Sequence, residues 1–196
     1  MMDDLRARLQ AALARDTGPS SDFDLNAPAR PRTTGLRGAG VLVPVCVRTG
    51  SVILTKRSSQ LSQHPGQIAF PGGKIDPGDR DATDAALREA EEEIGLPRDA
   101  VEIIGALPPH ETVTGFAMHP VLGFITRPFE PRPEPGEVAE IFHVPFDHVT
   151  DPARFSVQSR RWRGQQRLYY TVPYGPYYIW GATARILRGL AQRVSA

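Results

Sequence analysis

Three glutamates near the middle of the chain are the residues best suited to chemistry. Glu89 lies three residues before Glu92 and four before Glu93, so on an α-helix the three side chains share an arc of about 100°. Like charges at these spacings repel each other by about 0.2–0.5 kcal/mol per pair. Carboxylate oxygens on one face suit Mg²⁺ or Mn²⁺, which complete their coordination shells with water and phosphate oxygens. The alternative is a solvated acidic face without a metal.

The charge of the chain is concentrated around these glutamates. The net charge is only +1, but residues 76–93 contain eight carboxylates and two arginines. An acidic site in basic surroundings suits a metal ion that meets an anionic ligand. The absence of a broad basic face disfavours a nucleic-acid-binding protein.

A paired-glycine loop directly precedes the acidic segment. It reads Phe70–Lys74 (FPGGK), and the backbone at Gly72 and Gly73 can approach a ligand closely because glycine has no Cβ. We expect Gly72 and Lys74 to bind substrate. The segment therefore has a specific order: glycines, acidic loop, helix cap, Arg-Glu, Glu-Glu and a terminating glycine.

Hydrophobic periodicity predicts the elements that position these residues. Helices are expected in the first fourteen residues, from Asp81 or Thr83 to Ile94, and over Gly181–Val194. Pro44, inside the first strand of the domain, indicates an edge strand or a bulge. Strands without strict βαβ alternation predict an α/β fold with a mixed sheet and helices packed on it. The expected strands are Arg37–Arg48, Ser51–Thr55, Val101–Leu107, Val121–Thr126, Ile141–Pro145 and Arg167–Val172.

The length of 196 residues predicts one domain with an extension. Residues 1–36 are expected to contain the first helix and a Pro/Ser-rich extension, in which Asp16–Pro31 would be a tether or surface loop. Residues 37–196 are expected to form the domain. The sequence has neither a signal-like start nor an apolar run that could span a bilayer, so we expect a cytoplasmic protein with no membrane partner. The single cysteine, Cys46, excludes an internal disulfide.

The order of the acidic segment resembles the Nudix box. The pattern of that family is Gly, five residues, Glu, seven residues, Arg-Glu, an aliphatic residue, any residue, Glu-Glu, any residue, Gly and an aliphatic residue. Asp79 stands where the pattern has its first Glu, and eight residues separate it from the arginine, so Asp79 is not carried over as a ligand. The matching residues are Gly73, Arg88, Glu89, Ala90, Glu92, Glu93, Gly95 and Leu96.

This resemblance implies a Nudix-type α/β/α sandwich and metal-dependent hydrolysis of a nucleoside diphosphate linked to another group. It implies that Glu89 and Glu93 are the main ligands of Mg²⁺ or Mn²⁺, with Glu92 and the carbonyl of Gly73 as further ones. Arg88 would hold a helix carboxylate in place. Glu89, Glu92 and Arg88 are thus the expected catalytic residues. The candidates for the general base are Glu89, Glu92, Glu111 and Glu140.

A second motif, upstream of the box, is similar to that of the coenzyme A pyrophosphatase branch of the family. It comprises Ile53–Ser58 (ILTKRS), Gly66 and the FPGG sequence, and it departs from the branch pattern at Ser62, where the pattern has arginine. His64 or Lys56 could replace that cation. The implied substrate is CoA or acyl-CoA, cleaved to 3′,5′-ADP and 4′-phosphopantetheine or its acyl form.

Lys56 and Arg57 close the strand of that motif. Their alternative reading is a solvated strand end, but a cationic pair facing the acidic loop is better explained by an anionic ligand, and Arg57 could hold phosphate bidentately. We therefore expect both to bind substrate. Other nucleoside diphosphate derivatives, such as ADP-ribose, are alternative substrates, and a non-catalytic Nudix-fold ligand-binding module is an alternative of another class.

A basic and aromatic stretch remains outside both motifs. Residues 160–163 (RRWR), Arg167 and Tyr169-Tyr170 are expected in an exposed hairpin, where they could grip an adenine or its 3′-phosphate or, less favoured, RNA. Trp180, just before the last helix, is expected in the core. The histidines show no ligand spacing and are interpreted as surface or structural residues.

Overall fold

The computed structural model describes residues 2–15, 17–26, 35–162 and 164–196. Its helices are α1 (Met2–Ala14), α2 (Ala82–Ile94), α3 (Phe146–Val149) and α4 (Gly181–Ser195). Its strands are β1 (Ser20–Ser21), β2 (Arg37–Cys46), β3 (Ser51–Arg57), β4 (Ile68–Ala69), β5 (Gly72–Lys74), β6 (Val101–Ala106), β7 (His110–Glu111), β8 (Phe116–Ile125), β9 (Val138–Pro145), β10 (Ser156–Trp162) and β11 (Gln165–Thr171). No helix in these ranges is long and apolar enough to cross a membrane.

Nine of these strands form one mixed sheet, which confirms the predicted α/β fold with a mixed sheet. The longest path through it runs β1-β7-β8-β2-β3-β4, with β5, β6 and β9 attached to β2, β8 and β3. The strand β2 lies parallel to β8 and antiparallel to β3 and β5. The remaining pair, β10 and β11, forms a separate antiparallel hairpin.

Helices cover both faces of the sheet because side chains along β2 alternate between two cores. Leu42 packs in a core with Ala90 of α2. Its neighbour Val43 belongs to the opposite core, which contains Leu9 of α1 and Leu187 of α4. The result is three layers, helix, sheet and helix, with α2 alone on one side and α1 and α4 on the other.

The prediction that Pro44 marks an edge strand or a bulge is wrong, because β2 lies inside the sheet. The N–H of Leu42 donates to the carbonyl of Pro71 at 2.9 Å, so the nitrogen of Pro44, two residues on, faces the same side. On that side β5 pairs with β2 up to Val41 and β3 pairs with it from Val45 onward, within the described residues. Proline is tolerated in this gap because no ladder hydrogen bond is required there.

The helix that carries the glutamates has well-defined ends. Asp81 is its N-cap, and the Oδ1 atom of Asp81 accepts the N–H of Asp84 at 2.8 Å. Of the two predicted caps, Asp81 or Thr83, the structure therefore uses Asp81. Gly95 ends α2 in the left-handed conformation (φ 69°), which glycine adopts without strain. These two ends fix which residues of α2 face the sheet.

Gly40 on β2 allows α2 to approach the sheet closely. A Cβ atom at this position would lie 2.0 Å from the carbonyl oxygen of Ala82 and 2.9 Å from the nitrogen of Ala86. These are backbone atoms and cannot move aside like a flexible side chain. The distance between the glutamate helix and β2 thus depends on the missing side chain.

The N-terminal segment is joined to the domain by several side chains. Leu9 is fully buried in the core, and β1 pairs in parallel with β7. Residues 16 and 27–34 of the expected extension lie outside the described residues. Residues 17–26 contain a short strand and turns where a tether or loop was expected. The domain boundary at residue 36 stays a prediction.

Four polar side chains hold residues 17–26 in place. His110 is fully buried, with its ring nitrogens 2.9 Å from Ser20 Oγ and 3.1 Å from Asp22 Oδ1. Asn26 donates from Nδ2 to the carbonyl of Leu168 and accepts the N–H of Leu168 at Oδ1, both at 2.9 Å. The segment is thereby bound to the main sheet and to the hairpin.

We expect Gly40→Ala to destabilise the protein by about 2–3 kcal/mol, because the new methyl group overlaps the backbone of α2. Urea unfolding measures this loss. Gly78→Ala is the matched control, since a Cβ at Gly78 meets no atom within 4 Å. Equal stability of the two variants would show that α2 is free to shift.

Candidate active site

The site is built around Glu93, a carboxylate inside the protein. Its residue exposure is only 4%, and its Oε2 accepts the N–H of Gly72 at 3.1 Å. Burial raises the pKa of Glu93 from 4.5 to about 7, and the neighbouring charge of Glu89 acts in the same direction, while the charge of Arg57 opposes it. Glu93 is therefore held in a place where a bare negative charge is unfavourable.

Three carboxylates meet at this point. One oxygen each of Glu89, Glu93 and Glu137 lies within 4.8 Å of the other two. Burial also raises the pKa of Glu89. A set of carboxylate oxygens at this separation fits a hard divalent cation such as Mg²⁺ or Mn²⁺. We call these three residues the carboxylate cluster.

The paired glycines lie directly against the cluster. A Cβ on Gly73 would stand 2.4 Å from Oε1 of Glu89, so no other residue fits at this position without displacing that carboxylate. Gly73 pairs with Gly40 in the β5–β2 ladder, which holds the loop in register with the helix. This contact is consistent with the prediction that the Gly73 carbonyl is a metal ligand, which stays a prediction.

Sequence reasoning missed Glu137. It follows the proline-dense loop before β9, and its carbonyl accepts the N–H of Ser58 at 2.8 Å, at the end of β3. The β3–β9 ladder shifts register between Lys56 and Arg57, directly beside this contact. A lone glutamate after a loop has no spacing rule that links it to a helix about 45 residues earlier, so only the sheet pairing reveals it.

Arg88 connects the helix with the acidic loop. Its Nε and Nη2 atoms donate to the two oxygens of Asp79, both at 2.9 Å, and its Nη1 donates to Glu89 Oε1 at 2.9 Å. The guanidinium lowers the pKa of Asp79 to about 2, so this pair persists at neutral pH. Asp79, which departs from the family pattern, serves here to orient Arg88, and Arg88 in turn orients Glu89.

Glu92 lies apart from the cluster. Its side chain is 60% exposed, against 16% for Glu89, and it accepts Arg88 Nη1 at 3.2 Å. The cluster contains Glu89 and Glu93 but not Glu92. The predicted roles of Glu92 as metal ligand and catalytic residue are not supported by this geometry and stay predictions.

A cleft of about 480 Å³ adjoins the glycine loop. Four of the predicted substrate and metal residues line it: Arg57, Gly72, Gly73 and Lys74. Lys56 is not among its lining residues in the described part of the chain. Further parts of the wall come from the β10–β11 hairpin, the start of α4 and segments within residues 21–26, 63–70 and 112–118, and the lining is largely apolar.

Trp180 lines this cleft, so the expectation that it lies in the core is wrong. Its ring is half-buried and packs edge-on against Tyr169, with a centroid distance of 5.2 Å. The ring sits before α4, where the chain turns into the helix. The hairpin opposite, which the sequence did not place beside Trp180, shows that the ring faces the cleft.

The four candidates for the general base are distributed over different parts of the fold. Glu89 belongs to the cluster, and Glu92 is on the same helix but outside the cluster. Glu140, on β9, accepts a hydrogen bond from the Tyr177 hydroxyl, which raises the pKa of Tyr177. Glu111 lies on β7. Only Glu89 is both in the cluster and in contact with the glycine loop, and the assignment of the base stays a prediction.

Comparison with known protein families identifies the family of this chain. The sequence model of the NUDIX domain matches residues 36–164. This chain belongs to the Nudix family. The match contains the glycine loop, α2 and Glu137, and it ends before Trp180 and α4. The helix α1, residues 17–26 and α4 lie outside the matched residues.

Similar proteins carry the same family name. This Nudix protein is 40% identical to "Uncharacterized Nudix hydrolase NudL" of Pectobacterium atrosepticum over 160 residues, covering 81% of this chain and 83% of that protein. It is 40% identical to the NudL protein of Enterobacter sp. over 176 residues, covering 89% and 92%. The family relationship therefore extends over most of both chains.

Solved Nudix structures also match this chain. The Nudix hydrolase RenU of M. smegmatis is 25% identical, with a TM-score of 0.48, over 59% of this chain and 74% of that one. An Ap4A hydrolase of C. elegans is 20% identical, with a TM-score of 0.48, over 56% and 80%.

We expect Glu93→Gln to stabilise the metal-free protein at pH 8 by about 2 kcal/mol and to change it little below pH 4.5. Folded Glu93 keeps a proton up to about pH 7, whereas the unfolded chain releases it near pH 4.5. The wild type therefore loses stability as pH rises through this window, and glutamine does not.

Urea unfolding at pH 4.5 and pH 8 with a chelator present measures this difference. Glu91→Gln, an exposed position on the same helix, is the control and should be insensitive to pH. A constant stability gain of Glu93→Gln at both pH values would contradict the assigned cause.

Proposed function

We propose that this Nudix hydrolase cleaves the diphosphate of coenzyme A or acyl-CoA, giving 3′,5′-ADP and 4′-phosphopantetheine or its acyl form. One observation carries the proposal. Arg57 and the paired glycines of the CoA-branch motif line the same cleft as a separate basic and aromatic wall, which is formed by Arg160, Arg167 and Trp180. A diphosphate linked to a nucleotide with a further phosphate has groups that suit both parts.

The carboxylate cluster does not line the cleft itself but adjoins it through Gly72 and Gly73, at the end that would receive the diphosphate. Glu89, Glu93 and Glu137 would hold Mg²⁺ or Mn²⁺, and the bound ion supplies charge neutralisation and an acidified water for attack on phosphorus. Arg88 holds the Glu89 carboxylate in its orientation. The leaving group is already a stable phosphate, so little acid assistance is needed.

The cations of the motif would bind the diphosphate itself. Arg57 ends β3 beside the cluster, and its planar guanidinium suits two phosphate oxygens at once. Lys74 ends β5, next to Gly73. Of the two residues considered as replacements for the motif arginine at Ser62, His64 lines the cleft and Lys56 does not. His64 is therefore the proposed replacement.

We expect CoA to be hydrolysed at least about tenfold more efficiently than ADP-ribose, because ADP-ribose lacks the 3′-phosphate that the arginines of the basic and aromatic wall would bind. Parallel assays with Mn²⁺ and mass identification of the products measure this. Equal kcat/KM values would assign the enzyme to a broader substrate class. Binding of CoA without any turnover would favour the non-catalytic module.

We expect Glu89→Gln to lower kcat for CoA by at least about 100-fold, because it removes a charged ligand of the cluster. Glu91→Gln should remain within about twofold of the wild type, since Glu91 is exposed on the same helix and lies outside the cluster. Steady-state rates at saturating Mn²⁺ compare the two. Retention of most activity in Glu89→Gln would remove Glu89 from the metal site.

A further inference from the structure

The β10–β11 hairpin directs two arginines into the cleft from the side opposite the glycine loop. Arg160 and Arg167 are cross-strand partners in register, so their side chains project from the same face of the hairpin. Both line the cleft. Arg161, the next residue along β10, projects from the other face, is exposed, and does not line the cleft.

Each of these arginines rests on an aromatic ring. The guanidinium carbon of Arg160 lies 4.7 Å from the centre of the Trp180 ring, and that of Arg167 lies 5.2 Å from the centre of the Phe23 ring. Stacking restrains the plane of the Arg160 guanidinium and leaves the edge of that group able to donate hydrogen bonds. Arg160 is thus oriented in advance for a planar acceptor.

The charge of Arg160 is not neutralised by an acidic side chain. Among the described residues it forms no ion pair with a carboxylate, whereas Arg185, on the same side of the cleft, lies 2.7 Å from Asp24. Arg57 and Lys74 are cations of the other end, beside the carboxylate cluster. The hairpin end of the cleft therefore carries an uncompensated positive charge of its own.

A second anion of the ligand would account for this charge. The diphosphate of the substrate is already matched by Arg57, Lys74 and a metal held by the cluster. We infer that Arg160, supported by Trp180 and beside Arg167, forms a subsite for a phosphate monoester on the nucleoside part of the ligand. This inference rests on the proposed function and identifies the residue that would distinguish CoA, with its 3′-phosphate, from ligands that have only a diphosphate.

The binding test uses two nucleotides that differ by one phosphate. Calorimetric titration of the metal-free full chain with 3′,5′-ADP and with 5′-AMP should show about tenfold or tighter binding of 3′,5′-ADP, the range expected for a charged hydrogen-bonded pair. Arg160→Gln should abolish this difference, and Arg160→Lys should retain part of it. Arg161→Gln is the matched control and should keep the full difference.

The kinetic test compares CoA with 3′-dephospho-CoA. Arg160→Gln should raise KM for CoA about tenfold with little change in kcat, because the lost contact lies away from the reacting phosphorus. Its KM for 3′-dephospho-CoA should stay within about twofold of that of the wild type. A general structural defect would affect both substrates alike.

The outcomes separate this inference from the proposed function. Equal binding of the two nucleotides by the wild type, or an undiminished preference in Arg160→Gln, overturns the subsite whether or not CoA is hydrolysed. A loss of preference in Arg161→Gln as large as in Arg160→Gln also overturns it, because the effect would then be one of overall charge. Arg160-dependent binding without CoA hydrolysis supports the subsite and rejects the proposed reaction.

Discussion

The mutual repulsion of three carboxylates held close together at the edge of a cleft is the constraint around which this protein is built. Glu93 is the extreme case, since it is almost completely removed from water and has one backbone N–H as its hydrogen-bond donor. The fold keeps these groups together by rigid means: an aspartate cap and a glycine stop on α2, close backbone packing at Gly40, and Arg88 anchored by Asp79. A structure that tolerates such a cluster is poised to gain from a cation.

The remaining architecture divides the cleft between two sources. The main sheet, the helix α2 and the residue just before β9 supply the glycine loop, the carboxylates and Arg57. The hairpin, Trp180 and residues 17–26 supply the opposite wall. Regular structure therefore positions the carboxylate end of the cleft, whereas the opposite wall is assembled from segments that lie far apart in the chain.

The parts of the site that the sequence made predictable are those set by local rules. Helical spacing predicted the helix α2 and the common face of Glu89 and Glu93. Capping rules predicted the ends of α2, and the paired glycines predicted the loop beside it. The role of Glu137 was not predicted because its position depends on the pairing of β3 with β9, which are distant in the sequence. The position of Pro44 was predicted wrongly because an interior strand can change pairing partners along one of its sides. The burial of Trp180 was predicted wrongly because the sequence before a helix does not show which segment faces the ring.

Asn26 shows how far the substrate wall depends on the beginning of the chain. Its amide makes the two backbone hydrogen bonds at Leu168 that a neighbouring strand would otherwise make, and it does so between the arginine and the tyrosine that face the cleft. A protein without residues 17–26 would lose both of these hydrogen bonds, and the hairpin would lose this support. The two ends of the chain therefore build one wall of the cleft together.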